Sequence, residues 1–196
     1  MRKWLLLGIA LAVLVACDNG VKKDYWENGN IKSELRYESG KLNGESVWYT
    51  QKGQLAVKGT YKDDVLDGTY TRWHPNGKMA SEEHYVNGKL DGEVKKWFDN
   101  GQLFQEGQYV EGMMDGQWFI FYPSGALAGK AEYKMGTGKQ VCYEESGYKC
   151  LEVPYVDNLK QGREIYYNPD GRITKIVEYE KGKVVSEEND PQNEEE

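Results

Sequence analysis

Trp73-His74-Pro75-Asn76-Gly77-Lys78-Met79 is the stretch that decides the fold. An aromatic residue leads into Pro-Asn-Gly, and an apolar residue follows. Asn-Gly supplies the positive backbone angles that hairpin turns need, and Pro75 fits the first turn position. The pattern returns along the chain with its glycine at Gly29, Gly53, Gly77, Gly101, Gly125, Gly147 and Gly171. The spacings are 24, 24, 24, 24, 22 and 24 residues, so the sequence is a repeat array.

Three further columns align on these glycines. Four residues before them stand Tyr25, Tyr49, Trp73, Trp97, Phe121, Tyr143 and Tyr167. Eight residues after them stand Tyr37, Tyr61, Tyr85, Tyr109, Tyr133, Tyr155 and Tyr179. Nine residues before them stand Gly20, Gly44, Gly68, Gly92, Gly116, Gly138 and Gly162. The position two residues after the glycine is apolar in every unit except the sixth, which has Lys149. The single 22-residue spacing comes from Tyr133-Lys-Met-Gly-Thr-Gly138, two residues shorter than Tyr85-Val-Asn-Gly-Lys-Leu-Asp-Gly92. The stretch 139–163 is therefore a diverged sixth unit.

Each unit reads as two short strands rich in Tyr, Trp and Thr, which suit sheets. Side chains alternate faces along a strand, so Met79 and Tyr85 are expected on one face. The expected fold is all-β: an elongated antiparallel β-meander of about fourteen strands, built from seven hairpin repeats of about 24 residues. One unit places about three large apolar side chains on a face, roughly 1.5–3 kcal/mol each. Ordering some twenty residues costs more than that. Units must therefore stack to be stable.

The columns resemble the MORN-repeat variant family of bacteria, whose units run close to Tyr-x-x-Asn-Gly-x-Leu-x-x-Glu-x-x-Tyr-x-x-Gly-x-Leu-Asp-Gly. Here Trp97-Phe-Asp-Asn-Gly-Gln-Leu-Phe-Gln-Glu-Gly-Gln-Tyr109-Val-Glu-Gly-Met-Met-Asp-Gly116 matches it nearly position by position. The resemblance covers residues 20–185 and departs most in units five and six. It implies a β-hairpin scaffold for protein or membrane contacts and carries no catalytic residue. Some bacterial relatives bear an antitoxin label.

The N-terminus speaks to location. Arg2 and Lys3 precede an apolar run from Trp4 to Ala16, too short to span a bilayer and fitting a signal segment over residues 1–16. Leu14-Val15-Ala16-Cys17 resembles the lipobox of bacterial lipoproteins, which would make Cys17 the acylated first residue of an array spanning 17–186. Several acyl chains hold a protein on a membrane where one binds marginally. Asp18 resembles a signal for inner-membrane retention, so the inner membrane facing the periplasm is the expected site, with the outer membrane as the alternative.

Charge and cysteines narrow the partners. Removing Arg2 and Lys3 from the 25 basic residues leaves 23 against 32 acidic ones, a net charge of −9. That balance argues against nucleic acid. Cys142 and Cys150 stand four residues either side of Ser146, and a disulfide across this turn is expected in an oxidising envelope. His74 and His84 are the only histidines. Neither has a Ser or Cys partner at a suggestive position, so no catalytic residue, metal or cofactor is expected. From Glu187 to Glu196 the chain lacks apolar residues and reads as a disordered acidic tail.

The leading expectation is a non-enzymatic, lipid-anchored scaffold for envelope proteins. Trp48, Tyr70 and Trp118 fall by simple alternation on the face opposite the main aromatic columns and are expected to form its contact surface. The alternatives are a module binding cell-wall glycan or choline, and a toxin-neutralising partner.

Overall fold

A computed structural model describes residues 19–189. The expected signal segment, Cys17 and Asp18 lie outside the described residues, as do residues 190–196. The described chain is all β. Its strands are β1 (Gly20–Tyr25), β2 (Ile31–Glu38), β3 (Lys41–Leu42), β4 (Gly44–Tyr49), β5 (Leu55–Lys62), β6 (Val65–Trp73), β7 (Met79–Val86), β8 (Lys89–Trp97) and β9 (Leu103–Val110). They continue as β10 (Met113–Phe121), β11 (Leu127–Lys134), β12 (Thr137–Tyr143), β13 (Lys149–Val156), β14 (Leu159–Lys160), β15 (Gly162–Tyr167), β16 (Ile173–Glu180) and β17 (Lys183–Asn189).

Sequence neighbours pair antiparallel in one sheet. β3 and β4 both pair with β2, and β14 and β15 both pair with β13, so each couple is one interrupted strand. The interruptions are Asn43 and Gln161, whose N–H groups still donate to Arg36 O and Pro154 O. That leaves fifteen rungs where about fourteen were expected. The extra rung is β17, which corrects the start of the acidic tail. Glu187, Glu188 and Asn189 belong to a strand, because the Lys-Val-Val segment before them pairs with β16 and carries them along its edge. Lys175 also holds Glu187 at 2.7 Å.

Two kinds of turn join the rungs. At the upper end Pro75 and Asn76 occupy a turn closed by Gly77 N–H donating to His74 O at 2.9 Å, with Gly77 at φ +84°. At the lower end two consecutive residues are left-handed, as in Asn87 (φ 48°) and Gly88 (φ 80°), which matches the twist of paired strands. Asp63-Asp64 and Asp157-Asn158 adopt the same pair of angles without glycine.

Turns of neighbouring units are bonded to one another. Upper turns are tied by Asn28 Nδ2 donating to Gln51 O (2.8 Å), Asn76 Nδ2 to Asp99 O (2.7 Å) and Asn100 Nδ2 to Pro123 O (3.2 Å). Lower turns are tied by Gly88 N–H to Leu66 O and Gly112 N–H to Leu90 O. Asp67, Asp91 and Asp115 each accept from the turn twenty residues onward. These ladders give the stacking that no unit can supply alone.

The register breaks at the same place in every unit, just before the upper-turn aromatic. Arg72 pairs with Ser81 but Trp73 pairs with Met79, which leaves Ala80 as an extra residue. Lys32, Ala56, Phe104, Ala128, Cys150 and Thr174 are the extra residues elsewhere. Such bulges bend and twist a strand. They also reverse the count of faces. Met79 and Tyr85 therefore lie on opposite faces, contrary to simple alternation. The Tyr column takes one face, called inner here, and the aromatics before the turns take the other.

Candidate interaction surface

The inner face is packed against itself. Rows of paired residues put Trp48 beside Val57, Tyr70 beside Gly59 and Trp118 beside Ala131. Trp48 meets Tyr61, Tyr70 meets Tyr85, and Trp118 meets both Tyr109 and Tyr133, all edge to face with centroids 5.0–6.4 Å apart. The expected contact surface of Trp48, Tyr70 and Trp118 is thereby corrected. These residues share the face of the Tyr column, because the bulge adds one residue to the count. Trp118 is only 4% exposed and forms the core with Val94 and Tyr133. Tyr133 is buried, while the other six column tyrosines are half-buried.

Two carboxylates are buried on this inner face. Glu83 accepts from Arg72 Nη2 at 2.7 Å and from Tyr85 OH at 2.9 Å, and Arg72 Nε also donates to Ser81 Oγ. Glu164, 2% exposed, accepts from Lys160 Nζ at 2.7 Å and Tyr166 OH at 3.0 Å. Burial and then the bond to Glu83 push the Tyr85 phenol up to about 12. Burial likewise raises Tyr133. Seven rungs separate Glu83 from Glu164, about 34 Å at 4.8 Å per rung. They cannot act together as an acid–base pair, and each is satisfied where it stands. Net charge alone gave no sign of these buried acids.

The outer face is the more open of the two. One row crosses every rung from Lys23 to Glu188 in continuous register. On β1 to β9 it is polar but for Val47, with Lys23, Glu34, Lys58, Thr71, Glu82, Lys95 and Glu106. From β10 onward Phe119, Val141, Ile165 and Ile176 enter the row, interspersed with Lys130, Glu152 and Glu188. Phe119 stacks on Phe121 at 6.4 Å and 28°. A hollow of about 280 Å³ lies on each side of Phe119. Glu93, Lys95, Glu106 and Gln108 edge one; Lys130, Glu132, Lys139 and Val141 edge the other. Beyond them Lys139 and Lys149 pair with Glu152, and the bond from Lys139 chiefly holds that carboxyl below the usual range.

The remaining expected sites resolve into structure. Cys142 and Cys150 are free thiols, not a disulfide. The sixth-unit bulge sets Cys142 opposite Leu151 and leaves Cys150 as the extra residue, which breaks the symmetry about Ser146. His74 Nε2 lies 2.8 Å from Trp97 O and joins the upper ladder, while His84 Nδ1 lies 3.0 Å from Glu93 O. Among the described residues no group of three or more His, Cys, Asp or Glu could hold a metal ion. No helix of the described chain is long and apolar enough to cross a membrane.

Stacked hairpins, a recurrent bulge and bonded turns define a β-hairpin repeat protein. The model of the MORN repeat variant family matches residues 18–39, 42–63, 66–87, 90–111 and 114–135, and the chain belongs to that family. No curated protein matches it. The last match ends at the shortened connection. The hairpins that follow continue the same sheet.

Proposed function

We propose that this chain is a non-enzymatic scaffold, held on a bacterial envelope membrane by lipid on Cys17, which docks a partner protein on its outer face around Phe119. The observation that carries this reading is the change in the outer row at β10. A row whose one apolar member up to β9 is Val47 takes on Phe119, Val141, Ile165 and Ile176 among its charges, with open hollows beside Phe119. Contact surfaces favour aromatic anchors ringed by polar side chains. The lipobox-like Leu14-Val15-Ala16-Cys17 supports the tether.

The test is crosslinking and pull-down from membranes with the native lipoprotein and with Phe119→Lys. Capture of a defined partner by the first and its loss from the second is the expected result. Equal capture by both would overturn the docking site. Cys17→Ser tests the tether separately: normal labelling of that variant with palmitate would overturn it.

A further inference from the structure

The chain holds six Asn-Gly pairs, at Asn19, Asn28, Asn43, Asn76, Asn87 and Asn100. Glycine has no side chain to shield its nitrogen. Asn-Gly is thus the sequence most open to attack of the following backbone nitrogen on the asparagine side-chain carbonyl. The fold treats the six pairs differently.

Asn28, Asn76 and Asn100 are held at both ends of the side-chain amide. Each Nδ2 donates to a carbonyl of the next unit's turn. Each Oδ1 accepts a backbone N–H two residues on, at 3.1, 3.0 and 2.8 Å. Asn19 is held at one end, where Oδ1 accepts from Ser39 N–H at 2.6 Å. The side chains of Asn43 and Asn87 have no hydrogen bond among the described residues. Asn43 is half-buried, whereas Asn87 is exposed at the tip of a two-residue turn. One backbone bond, Gly88 N–H to Leu66 O, has to open before Gly88 can react.

We propose that Asn87 is the chain's primary site of spontaneous modification by water, through a cyclic imide with Gly88, and that the upper ladder shields Asn28, Asn76 and Asn100. The Gly88 nitrogen loses its proton and bonds to Asn87 Cγ. The side-chain nitrogen leaves as ammonia. Water then opens the ring at either carbonyl, giving aspartate or isoaspartate. The net change is one water consumed and one ammonia released, with no oxidant or cofactor. The new carboxylate forms beside Asp67, whose Oδ1 accepts the Asn87 N–H at 3.2 Å. The isoaspartate form also lengthens the backbone at a left-handed position. Modification therefore strains the junction between the third and fourth units.

Peptide mapping of the full chain after ageing in mildly alkaline buffer tests this, in the folded state and in concentrated urea. Two extra hydrogen bonds to break predict conversion of Asn87 at least about tenfold faster than Asn76 or Asn100 in the folded chain. In urea the sites should converge, because every pair is Asn-Gly. Folded-state conversion of Asn76 or Asn100 as fast as Asn87 would overturn the proposal. So would folded and urea profiles that coincide. Asn87→Ser should remove the leading product and leave the other sites' rates unchanged.

Discussion

Gly107 gives the space of its missing side chain to Trp118. A Cβ on Gly107 would lie 2.2 Å from the indole Cδ2 and 2.4 Å from Cε2. The backbone of Gly107 is not left-handed, so this contact is the reason for glycine there. The buried indole of the inner face lies across the barest point of the neighbouring strand, which lets one layer bury a core.

The first prediction follows from that contact. Gly107→Ala overpacks the inner face and should destabilise the array by about 1–3 kcal/mol. Adding Trp118→Leu frees the space, so the double variant should lose less than the two single losses combined. Urea midpoints of the four chains give the coupling. Strict additivity would remove the steric explanation.

Tyr133 and Tyr179 occupy the same repeat position with different neighbours. Tyr133 sits between Trp118 and Tyr155, while Tyr179 is next to the edge strand. Tyr133→Ala should cost roughly 3–5 kcal/mol. Tyr179→Ala should cost markedly less, because an end unit can fray alone. Equal midpoints in urea for the two variants would contradict a cooperative stack.

Alkaline pH should loosen the third unit. The Tyr85 phenol rises from 10.0 to about 12 in the folded chain. Its contribution is fully present below the unfolded value and is lost as pH rises through the folded one. Wild-type urea midpoints should therefore fall between those limits, and Tyr85→Phe should flatten that fall. Parallel curves for the two proteins would assign the effect elsewhere.

Asn158 repairs the short connection of unit five. Its Oδ1 accepts from Met114 N–H at 3.0 Å and its Nδ2 donates to Gly112 O at 2.9 Å, from more than forty residues away. Asn158→Ala leaves both groups unpaired and should cost about 1–3 kcal/mol. Asp91→Ala removes one cap from an ordinary turn and should cost less. Hydrogen exchange should also quicken at Met114 in the first variant; an unchanged rate there would count against the bridge.

What the sequence made legible is whatever it repeats in kind. Gly77 and Tyr85 recur as types, so the turns, the period and the diverged sixth unit could all be read. The bulge recurs only as a position: Ala80, Phe104, Cys150 and Thr174 share no chemistry. Without it the face count fails, and Trp118 is placed outside when it is the core. Glu83 and Glu164 were hidden for another reason. A buried acid is recognisable only through its partners: Arg72 reaches Glu83 from the neighbouring strand, and Lys160 reaches Glu164 along its own rung, past the interruption at Gln161. The outer hollows beside Phe119 likewise come from neighbouring strands, not from any motif within one.

Among the described strands, β1 and β17 are the two edges, and an odd number of rungs makes them run in the same direction. A second molecule set end to end would bring β17 against β1 as a parallel pair, foreign to the rest of the sheet. Turning it over restores antiparallel pairing but sets the inner face of one copy beside the outer face of the other. Only like edges meet well, across a two-fold axis. The parity of near-identical modules thereby rules out the single head-to-tail contact by which repeat arrays would most simply lengthen. Because both edges carry unpaired backbone groups, growth would need two different like-edge contacts, β1 on β1 and β17 on β17.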